Sequence, residues 1–496
     1  MAGTAQPMTE RSGNLFALVD EARAKARPVA RPRQLRWVIG AMPVFVLVSA
    51  LALAVLLPNG ITPPARLALF AFGGAAILWT LTPLNAAYVA LGAVLLLSLG
   101  GAIEQEDLFE ALESDVIWLM IGAFMLGAAV QASGLATRLT RVVGGSEGSS
   151  VGALIWRVTA ALIPLAFLIP STSGRAATVL PLFRALADAA NDARITRAFG
   201  LLFPAIILVS TIASLVGAGS HLIANDLLDE VANVEIGFGE WMLYGLPFGF
   251  VASLATGFVI GRIFLDPETR GRRIKVLATD SRPLSGREWK TIAVVVVMIG
   301  LWGTEGLHRL EIATVSIAGA FLLTMPGAGV ISWKDGLKSV SWNLIFFVGA
   351  ALVLGEALIE TGAAQWLIAQ IFAASGISGG GSDLLIVSAL ALIGLTSHLY
   401  LTSHAARAAA LVPPLLYLAG AMDINVVAVM FIATVGMDYC LTFPVSSKAL
   451  LMFQELDRET WSPSDLLRLS AVMMPVHAAL MVAFYFLYWR HVGLAL

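Results

Sequence analysis

Long runs of apolar residues separated by short polar connections organise most of this chain. They lie at about 37–57, 66–81, 86–100, 116–130, 199–216 and 240–265, then at 291–303, 311–326, 342–357, 426–445 and 470–489. A membrane-crossing helix needs about 20 apolar residues in succession, so these runs predict about 11 transmembrane helices. They are continuous and do not alternate with period two, which argues against membrane strands. Two further tracts, near 151–183 and 385–420, are interrupted by Pro, Ser and Arg. Irregular backbone at membrane depth survives only where it is buried in protein or lines a watery cavity. These tracts therefore predict two re-entrant hairpins. The expected fold class is an all-α polytopic membrane protein.

Composition agrees. Of 496 residues, 58% are hydrophobic and 13% charged, against roughly 45–50% and about 25% in soluble domains. A soluble enzyme, a secreted scaffold and a nucleic-acid binder are disfavoured, the last also by a net charge of −2. Cys440 is the only cysteine, so neither an internal disulfide nor a cysteine-built zinc site is expected. His308, His398, His477 and His491 lack metal-ligand spacing; no metal site and no cofactor are expected, Na+ as a coupling ion aside. The first 35 residues are polar and the run after them is long enough to span, so no cleavable signal is read.

Charge then sets orientation, because Lys and Arg concentrate in cytoplasmic loops. The tail carries Arg23, Lys25, Arg27, Arg31 and Arg33; the loop holding Glu104, Glu106, Asp107, Glu110, Glu113 and Asp115 has no basic residue. Arg138 and Arg141 follow one span later, Asp226 to Glu240 is acidic, and Arg270 to Lys290 is strongly basic. The alternation predicts a multi-pass inner (plasma) membrane protein with its N-terminus cytoplasmic and its C-terminus outside.

An internal repeat emerges from the same runs. VIWLMIGAFMLGAAVQASG (116–134) corresponds to LIFFVGAALVLGEALIETG (344–362), with Gly127/Gly355 and Gly134/Gly362 matched. STSGRAATVLP (171–181) corresponds to SHAARAAALVP (403–413), and the Ile212–Gly217 stretch to Ile432–Gly436. Each copy holds five spans, an odd number, so the second begins on the opposite face of the membrane. Inverted repeats with a midplane site are a secondary-transporter architecture. The expected division is a basic cytoplasmic tail (1–35), a first helix (36–57), a first repeat (65–265), a cytoplasmic linker (266–290) and a second repeat (291–496).

The interruptions carry the candidate chemistry. Ser171, Thr172 and Ser173 follow Pro170 and form an N-cap cluster, matched in the second copy by Ser403 and His404. Two half-helices starting at membrane depth would aim N–H groups and positive dipole ends at one anion. Arg175 and Arg407 recur at one repeat position in apolar surroundings, where an arginine costs at least roughly 2.5–3.5 kcal/mol on insertion scales. Each needs an anionic partner: the cargo, or Glu356, Glu360 or Asp438, unless it snorkels to an interface. Gly217, Gly219, Ser220, Thr442 and Ser446 sit at the other breaks, whose free carbonyls suit a cation or water. His221 and His404 are candidate proton carriers or packed hydrogen-bonding groups; Lys448 reads as a cation reaching the cytoplasmic interface.

At these residues the chain resembles the divalent anion/sodium symporter family, over nearly everything after residue 65. The likeness is clearest in IWLMIGAFMLGAAVQASGLATRL, WKDGLKSVSWNLIFFVGAALVLGEALIETG and the two tip motifs. It implies homodimers with a scaffold domain and an elevator-type transport domain. It also implies a Ser-Asn-Thr signature at each tip for the cargo's carboxylates, with Na+ beside each. Here the signatures stand as Ser171-Thr172-Ser173 and Ser403-His404-Ala405, without either Asn. The family's Pro-Val-Ala-Thr loop resembles Pro444-Val445-Ser446-Ser447, which places Ser447 among the cargo contacts. An Arg two places past the first signature is similar to the motif of the family's dicarboxylate-exchanger branch, which needs no sodium.

The function expected is secondary active transport of a divalent anion by alternating access, as a sodium symporter or an exchanger. C4-dicarboxylates rank ahead of sulfate or a sulfonated acid. A channel would need a continuous polar pore, whereas the polar residues here cluster at breaks; a membrane enzyme would need a nucleophile–base pair the spacing does not supply.

Overall fold

The computed structural model describes residues 33–496 apart from 58–59, 136–137, 139–142, 144–147, 276–282, 376–380 and 457–459. Residues 1–32 of the basic tail, Arg141 and Arg282 lie outside the described residues.

The first half is built from helices α1 (Arg33–Leu56), α2 (Pro63–Leu81), α3 (Ala86–Leu99), α4 (Asp115–Ser133) and α5 (Val151–Leu162). It continues with α6 (Thr172–Ala190), α7 (Ala193–Val209), α8 (Gly219–Ala232) and α9 (Phe238–Phe264). The second half follows with α10 (Gly286–Gly303), α11 (Ile312–Thr324), α12 (Trp342–Glu360), α13 (Ala363–Ser375) and α14 (Asp383–Ser397). It closes with α15 (His404–Ala421), α16 (Val426–Met437), α17 (Lys448–Gln454) and α18 (Pro463–Leu487). Starts are set locally: Asn85, Ser114, Ser150, Asp192 and Asn425 each accept a hydrogen bond from a first-turn N–H, satisfying donors the helix leaves open. The repeat-matched Gly134 and Gly362 end α4 and α12 at φ +89° and +76°, the left-handed stop that glycine takes without strain.

Among the described residues, seven helical stretches are long and apolar enough to cross a membrane, and five more are apolar but shorter. The difference from about 11 full spans comes from the breaks. The 426–445 run is helical only to Met437, and the 199–216 run leaves α-helix at Val209 for two 3-10 turns ending at Gly217.

Element order after residue 62 recurs after residue 285, and contacts between the halves are reciprocal. Helix α4 packs on α11, while its counterpart α12 packs on α3; α8 packs on α15, while α17 packs on α6. Mutual pairing of this kind is what a two-fold relation between like parts produces. The linker is pinned to the first half by a two-stranded antiparallel ladder, β1 (Ser149–Ser150) with β2 (Arg273–Ile274).

The linker is fastened at Glu288, outside the apolar segments. Arg138 Nη2 donates to its Oε2 (2.9 Å) and Arg138 Nε to its Oε1, while Ser285 N donates to Oε2 (2.7 Å) in a capping box. The Arg138 contact, then the Ser285 N–H, pull the carboxyl from 4.5 down to about 2. A carboxyl lowered by folding adds stability above its unfolded pKa, and loses it as pH falls through the folded one. Glu288→Gln is therefore expected to lower the thermal unfolding temperature in detergent at neutral pH. The gap to the parent protein should close between about pH 4.5 and pH 2; an offset constant across that window would contradict the clamp.

Candidate functional site

Each interrupted tract is a helix, a short extended break and a second helix. In the first, Ile169–Ser171 separates the α5 segment from α6; Ser171 Oγ accepts from Gly174 N (3.2 Å). In the second, residues 398–403 separate α14 from α15, and Ser403 Oγ accepts from Ala406 N (3.3 Å). The starts of α6 and α15 open onto one cavity of about 730 Å³. Its wall combines Ser171, Thr172 and Ser173 with Ser403 and His404, and it includes Gly219, Ser220, Ser446 and Ser447 from the two later breaks. Two half-helix N-termini and a ring of hydroxyls make a setting for an anion.

Four sequence candidates do not line this cavity: Arg175, Arg407, Gly217 and Thr442. Both guanidiniums are fully buried behind the wall. Arg175 Nη2 donates to the carbonyl of Gly217 (2.8 Å) and to Thr211 Oγ1 (3.1 Å). Arg407 Nη1 donates to the carbonyls of Met437 (2.5 Å) and Tyr439 (3.4 Å), and Nη2 to Cys440 Sγ (2.9 Å). Where charge and repeat position suggested cargo contact, the hydrogen bonds of both guanidiniums run to the unwound backbone, a hydroxyl and a thiol beside each tip. The Gly217 carbonyl, expected to be free for a cation, is taken by Arg175, and the Thr442 hydroxyl is taken by His398 Nε2 (2.7 Å) and Ser470 (2.6 Å).

The unwound first segment is held from outside by α9. Trp241 Nε1 donates to Ile212 O (3.0 Å), and a Cβ at Gly245 would stand 2.1 Å from that same carbonyl. Only glycine admits so close a backbone approach. At Gly217 a Cβ would lie 2.2 Å from Thr211 O, which keeps the loop tight around the guanidinium.

Of the carboxylates weighed as partners for the arginines, Asp438 is the one whose charge acts on Arg175. It sits at the end of α16, 3% exposed, and its Oδ2 meets His221 Nε2 at 2.7 Å; His221 Nδ1 faces Ser214 O at 3.0 Å. A carbonyl only accepts, so Nδ1 carries a proton, and the 2.7 Å contact holds another between imidazole and carboxylate. Among the described residues, the region behind the cavity wall thus sets the two arginines against the carboxylate of Asp438, itself shared with an imidazole. The surroundings of the cavity are electropositive.

His404 Nε2 lies 3.1 Å from Cys440 Sγ. This thiol is fully buried and off the cavity wall, so the contact fastens the second tip and presents no nucleophile. Sequence reasoning missed Gln131 and Asn343, amides that line the cavity from α4 and α12. A lone amide within the repeat block 116–134, just past its apolar run, was the available signal for Gln131. Lys448, read as reaching an interface, also lines the cavity.

The family described as the sodium:sulfate symporter transmembrane region matches residues 35–495. A membrane protein of Cupriavidus necator is 26% identical over 390 residues, covering 76% of this chain and 74% of that one. The citrate/succinate antiporter of Escherichia coli is 22% identical over 347 residues, covering 66% and 70%. The L-tartrate/succinate antiporter of the same organism is 24% identical over 346 residues, again covering 66% and 70%. Among solved structures, the Alcanivorax borkumensis YdaH transporter matches with a TM-score of 0.56 at 17% identity, covering 86% of this chain and 99% of that chain. That likeness concerns the fold alone.

Proposed function

The chain belongs to the sodium:sulfate symporter transmembrane-region family, and from that membership we propose that it exchanges divalent organic anions across the inner membrane by alternating access, without sodium. C4-dicarboxylates are the leading cargo. Relatives named as citrate/succinate and tartrate/succinate antiporters support this class.

The observation that carries the sodium-free reading is the pair of buried guanidiniums. Unwound carbonyls beside half-helices are where secondary transporters coordinate Na+. In this chain the Gly217 carbonyl accepts from Arg175, and the Met437 and Tyr439 carbonyls from Arg407. Each guanidinium supplies in permanent form the charge a coupling cation would bring, and the cargo dianion balances it. In this reading the α5–α6 and α14–α15 units are re-entrant hairpins, and the halves are inverted repeats with the N-terminus inside and the C-terminus outside. The tips move together as an elevator against a scaffold in a homodimer. The reciprocal helix pairing supports the two-fold relation between the halves.

Counterflow in proteoliposomes tests the reading. Labelled succinate uptake against internal succinate is expected to be saturable and unchanged when choline replaces Na+ on both sides. Strict dependence on Na+ would reject exchange and return the chain to the symporters.

A further inference from the structure

Among the described residues lining the cavity, Lys448 is the single permanently charged side chain. It is exposed, and its ammonium has neither an ion-pair nor a hydrogen-bond partner among the described residues. It is also the first residue of α17, directly after the cap Ser447, whose Oγ accepts from Ala449 N. A cation in a first helical turn opposes the helix dipole, and a charge in a membrane protein's interior is costly unless paired or wetted. Exposed to the cavity, the ammonium is wetted in the empty protein and available to an anion that enters.

The first half offers no counterpart. Helix α8 begins with Gly219, which has no side chain, at the place where α17 begins with Lys448. The cradle is thus hydroxyl-lined at both tips, but one side alone carries a contact charge. Arg175 and Arg407 cannot serve in its stead. Behind the wall, with Arg175 Nη2 and both Arg407 Nη groups held by backbone, hydroxyl and thiol, they act on the cargo through the potential of the site and touch no carboxylate lodged in the cavity wall. A cation that touches the second carboxylate adds a charge-assisted contact that a monoanion of the same shape cannot make.

We propose that Lys448 pairs with one terminal carboxylate of the cargo and is the residue that selects dianions over monoanions of the same shape. The assignment rests on the transporter reading above. One carboxylate of the cargo meets the ammonium, and the other is left to the tip hydroxyls that share the cavity wall.

The experiment compares succinate with succinamate, which replaces one carboxylate by an amide of equal size, in proteoliposomes holding the full chain. The parent protein should prefer succinate strongly. In Lys448→Gln the KM for succinate is expected to rise by roughly 10- to 100-fold, as loss of a charge-assisted contact implies, while that for succinamate stays near the parent value. Lys448→Arg should recover most of the preference. A parent protein that takes both compounds alike overturns the assignment without any variant. So does a Lys448→Gln protein that keeps the parent ratio or loses both substrates equally. Each of these leaves the transporter reading intact, whereas absence of any saturable counterflow by the parent protein would remove that reading and the assignment with it.

Discussion

Arg175→Ala is expected to abolish counterflow in sodium-free medium, and added Na+ is expected to restore part of it. The substitution empties a fully buried position and leaves the Gly217 carbonyl and the Thr211 hydroxyl without their donor. Thr211 already donates to Ile207 O (2.8 Å), so its free lone pairs face the vacated space. Each buried acceptor left without its donor costs about 1–3 kcal/mol, enough to loosen the loop that shapes the first tip. The vacated oxygens are hard, neutral ligands of the kind that coordinate Na+ in transporters with broken helices. Arg175→Lys should retain intermediate activity, because the charge remains but the forked geometry is lost. Sodium-free counterflow of Arg175→Ala at the parent rate would refute the guanidinium as a built-in cation. Loss of activity that Na+ leaves untouched would confine Arg175 to a structural role.

The second large effect is expected at Asp438. Asp438→Ala strands the His221 imidazole, whose Nδ1 is committed to Ser214 O, and withdraws the carboxylate whose charge acts on Arg175. The pair is almost completely enclosed, with His221 at 0% and Asp438 at 3% exposure, so solvent cannot replace the lost partner. A destabilisation of about 3–5 kcal/mol follows from leaving a buried charge uncompensated, read as a lower thermal unfolding temperature in detergent. Adding His221→Ala should cost less than the two single losses combined, with a coupling of roughly 0.5–3 kcal/mol between contacting residues. Strictly additive effects would show that the 2.7 Å contact carries no energetic link.

What could be read before any coordinates were known divides by range. Ser171 and Ser403 announce themselves, because a cap acts on the next three residues and needs only a hydroxyl before an apolar run. Gly134 and Gly362 likewise declare a stop common to both halves. The partners of the arginines were illegible for a different reason. A backbone carbonyl has no residue identity, so nothing in the letters distinguishes Gly217 or Met437 as an acceptor from any other position. His221 and Asp438 were each visible as unusual, but they stand 217 residues apart, and only the packing of α8 against α16 joins them. Lys448 was misplaced because the end of an apolar run does not reveal how deep in the membrane the chain breaks. Helix α16 stops at Met437, and the residues after it run as non-helical and 3-10 backbone that reaches the cavity wall at Val445, Ser446 and Ser447, not as the remainder of a span.

The reciprocal pairing of α4 with α11 and of α12 with α3 also governs the order in which the molecule can be completed during synthesis. Helices α3 and α4 leave the ribosome with faces whose partners, α12 and α11, begin only at Trp342 and Ile312. Until α11 and α12 are inserted, those faces can meet only lipid or one another. Lipid is as apolar as the missing helices, so waiting exposes no apolar surface to water, as it would in a soluble chain. The first half can therefore remain in the bilayer as a set of inserted but undocked helices. A chain truncated in the linker would leave α3 and α4 in that unfinished state permanently.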